Sequence, residues 1–151
     1  MGAVRVYFDS NVLIASIVRS HQHHVPSLSA LLTARKGTVH GVVSAHGLAE
    51  TYGFVSRALY PDLLSPLEAW NAVSTNILPF FSLVPLAASD YRVFLERCAS
   101  LGVVGGRIYD ALHIQAAIKS KCERLYTFNV KHFRNLAPVD FVDRIVLPGS
   151  N

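Results

Sequence analysis

A short run of β-branched and aromatic residues, Val4-Arg5-Val6-Tyr7-Phe8, stops at a carboxylate, Asp9, and this junction restricts the folds open to the chain. A strand with one wet face alternates apolar and polar residues, whereas a near-continuous apolar run reads as a strand buried on both faces of a parallel sheet. A helical stretch starts near Asn11, His21 to Pro26 reads as a loop, and Leu28, Leu31 and Leu32 mark the stripe of a second helix. Thr38 to Val43 reads as the next strand, and Ser44 can cap a helix whose stripe is Leu48, Tyr52, Val55 and Leu59. Ser65-Pro66-Leu67-Glu68 has the form of a capping box with proline at the first helical position, and Trp70, Val73 and Ile77 continue that helix inward. Phe80 to Leu86 is a third strand. Ser89 opens a helix with Phe94, Cys98 and Leu101 on one face and Gly102 just past its end. After Gly105-Gly106 come a helix over Arg107 to Lys119, a strand over Arg124 to Phe128 and a short last strand over Arg144 to Leu147. Strands alternating with helices predict an α/β fold with a parallel sheet covered on both faces. Ligands of such folds sit at the carboxyl ends of the strands, where Asp9 and Asn129 fall.

Composition narrows the class further. The 151 residues fit one compact domain, taken as residues 1–151, and leave no room for a second of ordinary size. Hydrophobic residues make up 51% and charged residues only 16%, against roughly 25% charged in an average soluble domain. Lys and Arg number 14 against 10 Asp and Glu, a mildly basic balance that suits a polyanionic ligand without identifying one. Cys98 and Cys122 have no Cys or His at zinc-ligand spacing and read as reduced, structural thiols. Met1 to Asp9 lacks the basic region and apolar run of a signal peptide. The stretch between Glu68 and Asp90 has no charged residue and is long enough to span a bilayer, but Asn71, Ser74, Thr75, Asn76, Pro79 and Pro85 break it. The expectation is a soluble, cytoplasmic protein with no membrane segment.

With acidic residues so scarce, their placement is informative. Asp9 ends the first strand, Asp110 lies in the first turn of the apolar helix Tyr109-Asp110-Ala111-Leu112-His113-Ile114, and Glu50 lies opposite the Leu48 and Tyr52 stripe. A carboxylate in apolar surroundings is costly unless something compensates it. Each has a plain structural reading: Asp110 as a helix N-terminal acid, Asp9 as a cap, Glu50 as a surface residue.

Taken together, these residues resemble the PIN domain, and most closely its small VapC-type toxins. The landmarks are Val-Tyr-Phe-Asp-Ser-Asn-Val-Leu at 6–13, Leu-Ala-Glu-Thr at 48–51, Tyr-Asp-Ala-Leu-His-Ile at 109–114 and Leu-Tyr-Thr-Phe-Asn at 125–129. The resemblance covers nearly the whole chain. It implies a three-layer α/β/α fold with a parallel sheet of about five strands, and a cluster of acids holding Mg²⁺ or Mn²⁺. Such an ion keeps several waters beside one or two carboxylates. It would neutralise the attacked phosphodiester and activate a water for in-line attack. The implied activity is endonucleolytic cleavage of RNA leaving a 3′-hydroxyl and a 5′-phosphate. Implied partners are an RNA substrate, a small antitoxin protein whose C-terminal segment blocks the site, and a second copy in a homodimer. By role, Asp9 and Asp110 are direct metal ligands, and Glu50 orients water or completes a second metal position. The family's fourth acidic position is Asn129 here, which can offer a carbonyl but no charge. Asp140 and Asp143 are the acids that follow it, and Thr127 is a candidate hydrogen-bond partner near the site.

Other residues carry weaker readings. His21-Gln22-His23-His24 lacks a Cys or nearby acid to complete a zinc site and reads as a solvated loop. His113, one turn after Asp110, either faces the site or is a buried hydrogen-bonded residue. Arg19, Arg107 and Lys131 flank the acids in sequence and are candidates for phosphate contacts. A haloacid-dehalogenase-type phosphatase would want a second Asp where Asn11 stands, and a dinucleotide fold would want a glycine-rich first turn. The stronger rival is a catalytically weak PIN-type module that binds RNA or protein.

Overall fold

The structure, a computed structural model, describes residues 2–57, 61 and 63–149. Its described elements run β1 (Val4–Phe8), α1 (Ser10–Ile17), α2 (His24–Arg35), β2 (Val39–Ser44), α3 (Ala45–Val55) and α4 (Pro66–Asn76). They continue with β3 (Phe81–Val84), α5 (Ala88–Leu101), α6 (Ile108–Lys119), β4 (Arg124–Tyr126), α7 (Val130–Leu136) and β5 (Ile145–Val146). The five strands form one parallel sheet in the order β3-β2-β1-β4-β5, with β1 in the centre. Among the described residues no helix is long and apolar enough to cross a membrane.

The pleat of β1 decides which layer each side chain joins, because successive residues of a strand point to opposite faces. Val6 and Phe8 enter a core with Val12 and Leu13 of α1, Ala30 and Leu31 of α2, and Val73 of α4. Tyr7 enters the other core, with Ile114 and Ala117 of α6 and Phe133 and Leu136 of α7. Helix α5 lies against α6 through Phe94, Cys98 and Leu112. This is the three-layer α/β/α arrangement, with both cysteines buried as free thiols.

Several local expectations hold in chemical detail. Ser44 caps α3 by accepting from the Gly47 amide, and Ser65 and Glu68 form a reciprocal capping box on α4. Gly102 ends α5 in the left-handed region at φ 69°, which a glycine adopts without steric cost.

Others are corrected. The His21–Pro26 loop is shorter than expected, because α2 already begins at His24. Trp70 is 48% exposed, since Ala69, Val73 and Ile77 form the buried line at four-residue spacing and Trp70 lies about 100° round the helix from Ala69. Leu101 is also 48% exposed; Val103, just beyond the Gly102 turn, packs against the α5–α6 core instead. On α3 the buried line is Gly47, Thr51 and Val55, with Leu48 and Tyr52 at its side; Leu59 lies outside the described residues. Helix α7 was not anticipated, its two turns offering only Phe133 and Leu136 as a buried stripe.

The sheet core tolerates no added volume at Gly41. A Cβ there would stand 2.7 Å from two ring carbons of Phe81, its partner across the β2–β3 pair, and 3.1 Å from Ala34 Cβ. Gly41→Ala is expected to destabilise the fold by about 1–3 kcal/mol through overpacking. Urea unfolding should show a lower midpoint with an unchanged slope.

Candidate active site

The carboxyl ends of β2, β1 and β4 deliver three polar side chains to the α6 side of the sheet. Extending each strand's alternation by one step places Ser44 in line with Val42, Asp9 with Tyr7, and Thr127 with Leu125. The Asp9 amide is still held by the Tyr126 carbonyl at 3.0 Å, so the strand pairing fixes its position. Asp9 is 2% exposed and stands at the N-cap of α1 without a side-chain capping bond, so capping is not its role here. Its Oδ2 instead accepts from Thr127 Oγ1 at 2.9 Å, and Thr127 Oγ1 in turn accepts from the Asn129 amide at 3.1 Å.

Opposite this group lies His113, 2% exposed, on the second turn of α6. Its Nε2 donates to Glu50 Oε1 at 2.7 Å and stands 3.8 Å from Asp9 Oδ1. Its Nδ1 is 2.7 Å from the Tyr7 hydroxyl, which donates to Ser44 Oγ at 2.9 Å. With both ring nitrogens of His113 protonated, Nδ1 donates to the Tyr7 hydroxyl, which donates on to Ser44 Oγ. Burial pulls the His113 pKa down, but the Glu50 hydrogen bond and the charges of Asp9, Glu50 and Asp110 outweigh it and raise the value. Gly47 allows the ring this close: a Cβ there would meet Ser44 Oγ at 3.1 Å and His113 Cε1 at 3.2 Å.

The three acids differ in environment. Glu50 is half-buried; burial pushes its pKa up, but the His113 bond and the nearby charges of His113 and His46 bring it below the ordinary value. Asp9 moves the other way, raised by burial against the opposing pull of His113, Thr127 and a small effect of the nearby Asn11 amide. Asp110 is pushed up to about 6, first by burial and then by the negative charge of Asp9, with His113 opposing. His46 Nε2 is 3.4 Å from Glu50 Oε1 and makes no hydrogen bond.

Asp9, Glu50, Asp110, His113 and Thr127 are therefore in contact or electrostatically coupled. Asn129 joins them through its backbone amide, its side chain being exposed and uninvolved in capping α7. Asp140 and Asp143 are exposed, and Asp143 precedes β5, at the amino ends of the strands and away from the cluster. Arg107 and Lys131 are exposed near the acids in sequence, with Arg107 Nη2 3.2 Å from His132 Nδ1. Arg19 instead lines a cavity of about 490 Å³ with His24, Leu64 and Glu68, at the far end of α1. Tyr7, read as part of the first strand, Ser44, read as a helix cap, and His46 were not assigned to the site from sequence. The available signal for Tyr7 and Ser44 was their same-face parity with Asp9 and Val42, which becomes usable only once the strand register is known.

Residues 6–138 match the family model described as PIN domain. The chain belongs to the PIN-domain family. Among similar sequences, Ribonuclease VapC40 of Mycobacterium tuberculosis is 33% identical over 104 residues, covering 69% of this chain and 72% of that protein. Ribonuclease VapC27 of the same organism is 30% identical over 116 residues, covering 76% and 78% respectively. In fold, this PIN domain superposes on the Mycobacterium tuberculosis toxin VapC20, described as cleaving the sarcin–ricin loop, with a TM-score of 0.67 at 13% identity, covering 84% of this chain and 92% of that one. It also superposes on a chain of the Rickettsia felis VapBC2 complex, solved with a promoter DNA fragment, with a TM-score of 0.62 at 20% identity, covering 89% and 96%. VapC-type PIN nucleases depend in general on divalent metal ions.

The donors of this PIN domain fit such an ion in one respect and lack preformed closure in another. Asp9 and Asp110 are hard oxygen donors that take up protons more readily than a free aspartate, chiefly because both are buried and, for Asp110, because of the charge of Asp9. Among the described residues, however, no three His, Cys, Asp or Glu side chains converge closely enough to clasp one ion. That pattern suits Mg²⁺, which takes one or two carboxylates and keeps its waters.

A pH experiment checks the crowding directly. Asp110 has its pKa raised from the ordinary 3.8 to about 6, so the stability its neutral form provides is complete below about 3.8 and is lost as pH rises through about 6. In EDTA, Asp110→Asn should therefore melt above the wild type at pH 7, with the gap closing toward pH 4. Equal melting temperatures across that range would show that burial and the Asp9 charge do not raise Asp110.

Proposed function

We propose that Asp9 and Asp110 bind Mg²⁺ or Mn²⁺ directly, that Glu50 orients the attacking water or completes a second metal position, and that the cluster cuts RNA. The chain is a VapC-type endoribonuclease, the toxin component of a toxin–antitoxin system. The observation that supports the site assignment is the convergence on His113, whose Nε2 stands 2.7 Å from Glu50 and 3.8 Å from Asp9, with Asp110 one turn earlier on the same helix. Two carboxylates that repel in isolation are relieved by a divalent cation.

When bound, the ion supplies Lewis-acid neutralisation of the phosphodiester and lowers the pKa of a water. The protein does the positioning. Thr127 fixes one oxygen of Asp9, and His113 holds Glu50 by a charge-assisted hydrogen bond. Exposed Arg107 and Lys131 meet backbone phosphates. Asn129, in the family's fourth acidic position, adds a neutral oxygen rather than charge, which favours one tightly held ion over two. We propose further that the whole chain works as one nuclease domain in the cytoplasm, as a homodimer, and is silenced by a small antitoxin reaching the carboxylates with a basic side chain.

Purified protein should cleave single-stranded RNA with Mg²⁺ or Mn²⁺ and stop in EDTA. Asp9→Ala and Asp110→Ala should each lower the rate by at least ~100-fold, the scale of removing a transition-state charge partner, with the circular dichroism spectrum unchanged. Full cleavage by folded Asp110→Ala, freed of contaminating nuclease, rejects the assignment. RNA binding without any metal-dependent cleavage by the wild type would instead identify a binding module.

A further inference from the structure

Two ring stacks involve residues next in sequence to members of the carboxylate cluster. On one side, Tyr109 lies flat on His46, with centroids 5.0 Å apart and planes 8° apart. Tyr109 immediately precedes Asp110, and the His46 ring continues inward to His113 at 6.1 Å. On the other side, His23 lies flat on Phe128, with centroids 4.0 Å apart and planes again 8° apart. Phe128 immediately follows Thr127, the residue that holds Asp9, and packs inward against the core under β1. In the first stack Tyr109, 43% exposed, is the outer ring over the half-buried His46; in the second both His23 and Phe128 are half-buried, and the His23 ring also stands 5.7 Å from that of His21, tilted by 41°.

We propose that Tyr109 and His23 are platforms on which unpaired nucleobases of the RNA stack, one on each side of the scissile phosphate. This rests on the RNA-cleaving role proposed above and names how the strand is held. Every base has a π-face, so stacking binds single-stranded nucleic acid without a hydrogen-bond code. A base inside a duplex is already stacked and cannot offer that face, so the platforms select loops and single strands. The outer rings are held in place by their partners, which lowers the ordering cost of binding. His23 is the N-cap residue of α2 but makes no side-chain capping bond, so its ring is not engaged in starting that helix. A groove of about 390 Å³ lined by Ser10, Asn11, Glu50, Gly53, Phe54 and Arg57 runs past the same cluster, and Arg57 places a cation there for the backbone.

The probe is a dye-labelled, single-stranded RNA decamer of mixed sequence, with an abasic ribose-phosphate decamer as control. Binding is followed by fluorescence anisotropy in EDTA, where no cleavage is expected. Tyr109→Leu and His23→Leu should each weaken binding of the RNA roughly 5- to 150-fold, the range spanned by base–aromatic stacking. Tyr109→Trp and His23→Tyr should restore it to within about threefold, since any ring supplies the π-face. Affinity for the abasic strand should be the same for all five proteins. Thermal melts establish that each variant is folded. RNA binding unchanged in the folded leucine variants overturns the proposal. So does equal loss on both strands, or failure of the aromatic replacements to restore binding. Variants that keep RNA binding but lose a co-purifying protein partner assign the rings to that partner and also overturn it. A wild type that shows ring-dependent binding yet never cleaves defeats the nuclease reading alone, whereas active cleavage with ring-independent binding defeats the platforms alone.

Discussion

The imidazole of His113 stands between two carboxylates in the interior, and the acids around it raise its affinity for a proton. Its Nε2 bonds Glu50 at 2.7 Å and faces Asp9 at 3.8 Å, while the Tyr7 hydroxyl takes up Nδ1. A buried histidine ordinarily loses its proton, because desolvation penalises the cation. Here the surrounding acids reverse that balance. The same ring lowers Glu50 and restrains the upward push on Asp9, so one side chain sets the protonation of the whole cluster. Removing one partner of such a network leaves the others buried without compensation, which costs more than the bond itself gained.

That dependence explains why small residues recur where the strands end. Gly47 leaves room for the His113 ring, and Ser44 serves two masters, capping α3 and receiving the Tyr7 hydroxyl. Thr127 likewise donates to Asp9 and accepts from the Asn129 amide, tying the loop after β4 to the centre of the sheet. These hydroxyls are satisfied from both sides, as buried polar groups must be. The site is consequently rigid where it meets the sheet. Exposed Tyr109, stacked on His46, stands beside it.

The PIN fold and the local chemistry agree about direction. In an open parallel sheet the crevice beyond the carboxyl ends is where ligands bind, since the loops diverge there and helix N-termini point inward. Asp110 in the first turn of α6 and Asp9 just before α1 lie at such termini. Asp110 is nonetheless raised to about 6, chiefly by burial.

Much of this was legible in the order of residues. The apolar run into Asp9, the capping box at Ser65 and the glycine at 102 are local signals with local causes, and the order of strands and helices followed from such signals except for α7. The acids at 9, 50 and 110 were legible because charge is rare in this chain and a carboxylate in apolar sequence demands compensation. Trp70 and Leu101 were misjudged because apolarity fixes neither which side of a helix meets a neighbour nor where a neighbour stops. His113 was left open between site and core, and it is both. What the sequence by itself determined was the kind and order of elements and the residues able to carry charge. Only the tertiary structure decided that Tyr7, Ser44, His46 and His113 join those acids, because they lie on four separate elements and meet only when the sheet register and the α3–α6 contact place them within hydrogen-bond or ring-stacking reach.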